Sequence, residues 1–543
     1  MQFNLADLWE RVVDTVPDRE ALICGATRLT YAETDARIDR LAHSLADSGI
    51  GPGDHVALYL YNGVEYLEAM LAAFKIRAVP INVNYRYVED ELRYLLDDAD
   101  AKAVVFHRQF APKLLATRDQ LPGLQLFLSV DDGSGADLEE LGAVDYADAL
   151  ERSSATRDYA ERSADDLYVL YTGGTTGMPK GVMWRHEDIF FGALGGGDFA
   201  GKPVTAPSEI AEKALAGRTR SLPACPFMHG TAHWMALTTL FGGGAVIICE
   251  DRAFDATHLW DLVAREQVNF LVIVGDAFGR PLVDALEQRG TSADLSKLVV
   301  ILSGGAILSP TVKASLADRL PGCMIIDGYG SSESGGQGQS VTVAGSAPAG
   351  APRFRVNAQT TVLDDELSPA EPGVVGKLAR KGHIPLGYYK DPEKSARTFP
   401  VVDGVRWSVP GDHARIEDDG TITLLGRGSV SINTGGEKVY PEEVESALKA
   451  HPSVFDAVVV GVPDDRWGER VVAVVQLRVG HNTCFDDLDT HVRSSIASYK
   501  APREHVEVAT IVRSPSGKPD YRWARAVAVE RLSAPDPEVA SET

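Results

Sequence analysis

The run Tyr171-Thr-Gly-Gly-Thr-Thr-Gly-Met-Pro-Lys180-Gly181 follows the apolar stretch DLYVLY and is built to hold an anion. Gly173, Gly174 and Gly177 let the backbone turn tightly and bring its amides against phosphate oxygens. The neighbouring hydroxyls of Thr175 and Thr176 can donate to phosphate or ligate Mg²⁺, and Lys180 adds a mobile point charge. The order Lys-Gly-Val separates this string from the nucleotide loop that ends in Gly-Lys-Ser/Thr. A bare Thr-Gly-Gly is usually a surface turn. The full string after a strand predicts phosphate chemistry over Thr172–Lys180, Met178 and Pro179 included.

TGGTTGMPKGV resembles the phosphate-binding signature of the adenylate-forming superfamily, which holds acyl-CoA synthetases, peptide-synthetase adenylation domains and luciferases. Gly173 stands where that family usually has serine, which removes one phosphate contact and leaves the amides. Further motifs follow in the family's order over most of the chain. Asp327-Gly328-Tyr329-Gly330-Ser331-Ser332-Glu333 resembles its YGxTE motif. The resemblance implies that Tyr329 stacks on adenine, Ser332 reaches the α-phosphate and Glu333 ligates Mg²⁺, an ion that favours one or two carboxylates beside phosphate oxygens. Thr176 is expected as a second metal contact. Ser303-Gly304-Gly305-Ala306 looks like the adenine-side loop, and Asp412 with Arg427 like the ribose clamp.

Two lysines complete the set by resemblance. Lys518, in Arg513-Ser-Pro-Ser-Gly517-Lys518, corresponds to the catalytic lysine of the first half-reaction, and Lys438, in GGEKVYP, lies on the face expected to replace it in the second. His229, in Pro-Phe-Met-His-Gly, matches a motif at the acyl-pocket entrance. A structural histidine and a general base for the thiol both remain open there.

These residues need elements to position them. HVALYLY, AKAVVFH, GAVIICE, VNFLVIVG, KLVVILSGG and GCMIIDGYG read as buried strands separated by helix-length segments such as ARIDRLAHSLADSG. That alternation predicts an α/β fold: a large multi-subdomain N-terminal domain with parallel or mixed sheets, over 1–427. A hinge at 428–430, centred on Ser429, joins it to a small mobile α+β domain over 431–531, whose PEEVESALKA helix opens at Pro441. Residues 192–222, rich in Gly, Ala and Pro, read as a loop insertion, and 532–543 as a disordered tail.

At 543 residues and a net charge of −24, the chain is a poor partner for nucleic acid or an anionic membrane surface. Anionic ligands must be met by local cations and backbone amides. Neither a membrane span nor a secretory signal is apparent, and Cys24, Cys225, Cys249, Cys323 and Cys484 show no metal spacing, so the cytoplasm is the default. Oligomerisation is left open.

The activity these features imply is ATP- and Mg²⁺-dependent activation of a small-molecule carboxylic acid as acyl-AMP, then transfer to coenzyme A. Loading of a carrier protein and a non-catalytic binding role are the alternatives. GRGSVSINTGGEKVYPEEVE and SPSGKPDYRWA look most similar to actinobacterial ligases for long-chain fatty acids and steroid side-chain acids. Gly275-Asp276-Ala277-Phe278 replaces a proline-rich turn of many relatives. Trp234, Met235 and Phe278 are expected as apolar walls, with Asp276 turned away against Arg280.

Overall fold

A computed structural model describes residues 2–172, 178–197, 202–289, 294–345, 353–434, 437–464, 467–514 and 517–533. The six expected strands form, and four of them stack in one sheet with Glu20–Cys24 and Arg220–Pro223, which were not expected. Glu20–Cys24, Ala245–Ile248, Arg220–Pro223, Phe270–Ile273, Val300–Gly304 and Met324–Ser331 run parallel in that spatial order. Apart from the second half of Met324–Ser331, which opens onto the cavity, their residues are mostly buried, as continuous apolar runs require when helices cover both faces of a sheet. Gly335–Thr342 then turns back antiparallel on Met324–Ser331 and leads into a polar, turn-rich sheet that includes Val375–Lys381, Asp412–Ile416 and Ile422–Arg427.

A second sheet centres on His55–Tyr59, Val79–Asn82 and Leu167–Thr172, with Lys180–Arg185 folded back antiparallel on the last. A third, smaller sheet pairs Val454–Asp464 with Gly468–Leu477 and carries the hairpin Ile432–Thr434/Glu437–Val439. Helix Pro441–Lys449 opens on its proline, whose missing N–H lies where the first turn has no use for one. The segment 428–430 is a single 3₁₀ turn between the larger and smaller units.

Two expectations are corrected. Residues 192–222 are no loop insertion: they hold a 3₁₀ turn at Pro207–Glu209, the helix Ile210–Ala216 and a strand, Arg220–Pro223, inside the first sheet. Val204, Ile210 and Ala214 are buried, and Arg19 donates to the carbonyls of Ala214 and Leu215 at the helix end. One i, i+4 apolar pair in a short helix gives too little periodicity to stand out from its Gly/Pro surroundings. The C-terminal helix runs over Tyr521–Ser533, with Leu532 packed on the cluster of Val458, Val460 and Ala528, so Leu532 and Ser533 belong to it and not to a tail. Residues 534–543 lie outside the described residues.

His186 and His233 are buried, His229 is half-buried at the edge of a cavity, and desolvation pushes their pKa values down to about 4, 4 and 3. Each is neutral in the fold and takes up a proton more readily once unfolded. Stability is therefore complete above the ordinary imidazole value near 6.5 and is lost as pH falls below it. We expect about 1 kcal/mol lost per histidine at pH 5.5, read as a lower thermal midpoint than at pH 7.5. Equal midpoints would show that these histidines gain solvent or partners in solution.

Candidate active site

Ser303 pairs with Asp327 and Gly304 with Gly328 across adjacent parallel strands, so both glycine-rich motifs end side by side at the carboxyl edge of the first sheet. Ligands of open α/β sheets collect at that edge. Beside it lies a cavity of about 1190 Å³. Thr172, Met178, Pro179, Ser303, Gly304, Gly305, Gly328, Tyr329, Gly330, Ser331, Ser332, His229 and Lys518 all line it. Residues 173–177, with the expected metal contact Thr176, lie outside the described residues.

Lys180 sits 3.6 Å from Asp391, at the base of the loop. Burial opposes its charge, but Tyr94, Asp98 and Asp391 outweigh that and hold its pKa above the ordinary value. Glu333 is buried, and its Oε1 accepts from Tyr388 Oη at 2.9 Å. Its backbone is fixed too: the Glu333 carbonyl accepts from Ser408 Oγ at 2.6 Å, and that of Ser332 from Trp184 Nε1 at 3.0 Å.

Asp327 is paired with Lys313 at 3.0 Å inside the protein, where burial lifts its pKa to about 6. That ion pair anchors the strand that presents Tyr329. Ala306 packs against the start of the helix Gly275–Arg289, since a Cβ on Gly275 would come within 2.9 Å of it. Asp412 and Arg427 are register partners across adjacent antiparallel strands, so their backbones lie side by side.

Lys518 is carried by a tight loop in which Ser514 N donates to Lys518 O at 2.9 Å. Arg513 forks onto both oxygens of Asp456 at 2.7 Å and donates to Gly517 O at 2.9 Å. Gly517 has φ +72 and rests on the Val274–Ala277 segment, where an added Cβ would lie 3.2 Å from Val274 O. Lys438, by contrast, is exposed on its hairpin. The smaller unit therefore presents its Lys518 face to the cavity. It is held there by charges: Asp276 Oδ2 lies 3.9 Å from Arg280 and 3.5 Å from Lys449, with all three side chains at most 4% exposed. Ser309 N donates to Asp276 Oδ1 at 2.7 Å, and Arg280 donates to Lys449 O at 3.2 Å. Asp276 thus turns away from the cavity, as expected.

His229 caps the helix Gly230–Phe241. Burial first, then the positive charge of Lys518 and the neighbour His233, hold it neutral. The apolar wall comprises Leu170, Phe191, Pro203, Met228, Trp234, Met235 and Val274. Trp234 is fixed by Tyr168, whose Oη accepts from its indole at 2.8 Å. Phe278, expected in this wall, packs instead on Phe254 with ring centroids 4.7 Å apart. It lies one turn into the helix that starts at Gly275, and this turns its ring from the cavity. Sequence reasoning placed Arg513 within the Lys518 motif without giving it a role, and missed Asp456 and Lys449. Each is a common polar residue with no spacing signal, and only tertiary contact gives it a role.

The AMP-binding enzyme family model matches residues 9–389, and the model of the AMP-binding enzyme C-terminal domain matches 443–518. The chain belongs to the AMP-binding enzyme family and is an acid–thiol ligase of the AMP-forming kind. It is 49% identical to a 3-oxocholest-4-en-26-oate–CoA ligase of Rhodococcus rhodochrous, over 97% of this chain and 96% of that one. It is also 49% identical to a medium/long-chain-fatty-acid–CoA/3-oxocholest-4-en-26-oate–CoA ligase of Mycobacterium tuberculosis, over 96% and 95%. Among solved structures, ATP-bound MatB from Rhodopseudomonas palustris superposes with a TM-score of 0.82 at 26% identity, over 98% of this chain and 100% of that one. No helix among the described residues is long and apolar enough to cross a membrane.

Proposed function

We propose that this enzyme activates bulky hydrophobic carboxylic acids, steroid side-chain or long-chain fatty, and transfers them to coenzyme A. The observation that carries the reading is the shared cavity: Lys518 and the glycine-rich motifs line the same space as Phe191, Trp234, Met235 and Val274. In the first half-reaction the acid's carboxylate oxygen attacks the α-phosphorus of ATP, and the bond to pyrophosphate breaks. Two anions meet, so cations must surround the phosphates, and Lys518 and Lys180 are the groups suited to that task. Glu333 fits a magnesium ion, being a buried carboxylate oriented by Tyr388 and adjacent in sequence to the cavity-lining Ser331 and Ser332. When bound, that ion lends positive charge to the phosphates. In the second half-reaction the thiol sulfur of coenzyme A attacks the acyl carbonyl, AMP leaves, and the thiol proton passes to a base or to water. His229 lines the cavity, but burial and Lys518 hold its pKa at about 3, which makes it a weak acceptor while Lys518 is docked. The turn at 428–430 is the proposed hinge for exchanging Lys518 for the Lys438 face between these steps.

Apolar surface gains about 25 cal/mol per Å² when buried, which favours a long chain or ring system over acetate by several kcal/mol. The test is kcat/KM for CoA-thioester formation across acetate, benzoate, octanoate, palmitate and a steroid side-chain acid. Palmitate or the steroid acid should exceed acetate by about 10²-fold or more. Acetate or benzoate coming out best would discard the large-pocket reading.

A further inference from the structure

The acyl end of the cavity contains a polar feature that activation of a plain hydrocarbon acid does not use. Arg380, on the strand Val375–Lys381, lines the cavity with only 5% of its surface exposed. Its Nη1 bridges the carbonyls of Gly192 and Ser334, and its Nε has no hydrogen-bond partner. No acidic side chain pairs with it among the described residues, and burial alone lowers its pKa to about 10. Gln337, fully buried, lines the same space. Its Oε1 accepts from Ser334 Oγ at 2.9 Å, while its Nε2 is without a partner. Two buried donors, one of them a cation, thus flank Ser334 just behind the Phe191–Gly192 wall. Arg380 Nε and Gln337 Nε2 are closed to solvent in this conformation, so a ligand oxygen reaches them through a turn of these side chains. Gly335 makes room for this: it has φ +67, and a Cβ there would come within 2.7 Å of Arg380 Nη1 and 2.2 Å of Gly192 O.

A buried donor left unmade is unfavourable, and an unpaired guanidinium more so, unless a ligand atom completes it. Carbonyl, hydroxyl and carboxylate oxygens all meet that need, and guanidinium suits them well. We infer that Arg380 and Gln337 form an oxygen-recognition subsite in the acyl cavity, selecting hydrophobic acids with a second oxygen function remote from the activated carboxylate. This rests on the acyl-CoA ligase reading above and narrows its substrate class. Selection follows because a site built to hydrogen-bond an oxygen rejects the analogue that lacks it far more strongly than an apolar pocket rejects a missing methylene.

The experiment uses the full-length enzyme and acids matched in skeleton: palmitate, a hydroxypalmitate and hexadecanedioate, and a cholest-4-en-26-oate with and without its 3-oxo group. In at least one skeleton the oxygen-bearing member should have kcat/KM about tenfold or more above its plain partner. The diacid arm tells a charge partner from a neutral acceptor. Arg380→Met and Gln337→Leu should each erase most of that preference while changing kcat/KM for the plain acid by only a few-fold. Arg380→Lys should restore part of it. Because Arg380 also ties Gly192 to Ser334, Gln337→Leu decides the matter if Arg380→Met does not fold. Absence of any oxygen preference in the wild type, or a preference that survives in Gln337→Leu and in folded Arg380→Met, overturns the subsite. An enzyme that forms no thioester with any acid overturns the functional reading itself.

Discussion

Replacing Lys518 by alanine lowers acyl-AMP formation by about 10²-fold or more and leaves thioester formation from supplied acyl-AMP within a few-fold. The expectation follows from how the lysine is held. It lines the cavity on a loop fixed by the Arg513–Asp456 fork and by Gly517 against Val274, while Lys438 faces solvent. On the proposed mechanism, the charge of Lys518 is needed while pyrophosphate departs and not afterwards. Pyrophosphate exchange and single-turnover thioesterification, measured separately, check the split. Equal losses in both would make Lys518 a structural residue and remove the argument for two poses of the smaller unit.

Asp276→Ala should act on the same half-reaction from a distance. Deleting that carboxylate leaves Arg280 and Lys449 buried without an acid between them and strands the amide of Ser309. Removing one partner of a buried ion pair costs about 3–5 kcal/mol. Part of that cost is avoided if the smaller unit undocks and gives both cations water. We therefore expect pyrophosphate exchange to fall by about tenfold or more, faster proteolysis at the 428–430 turn, and little change in thioesterification. The milder Asp276→Asn keeps the acceptor for Ser309 and should recover only the part not due to charge. Loss of thioesterification to the same degree would show a general folding defect instead.

The fold was legible where one rule dominates. Fully apolar runs of strand length such as HVALY and VILSG become buried parallel strands whatever their neighbours do, and Pro441 opens a helix by its own geometry. The runs 303–305 and 328–332 were legible as strand ends gathered at one cavity, while 173–177 lie outside the described residues. What failed was decided by tertiary packing. Ile210 and Ala214 gain their burial from distant elements, and Phe278 rotates out of the acyl wall because a helix begins at Gly275. The docking charges Asp276, Arg280 and Lys449 come from segments some 170 positions apart, and no local pattern could pair them.

The stretch from Val274 to Ala277 belongs to two surfaces at once: Val274 lines the acyl cavity, while its carbonyl, Ala277 and Asp276 receive the smaller unit. Anyone widening the cavity for a new substrate will therefore also be editing a docking platform. A substitution at Val274 chosen for fit will alter turnover as well as selectivity, and a library scored on binding alone will misjudge it. Elsewhere in the lining, Phe191 and Pro203 take no part in the docking contacts described for Gly517 and Asp276 and are the better starting points for redesign.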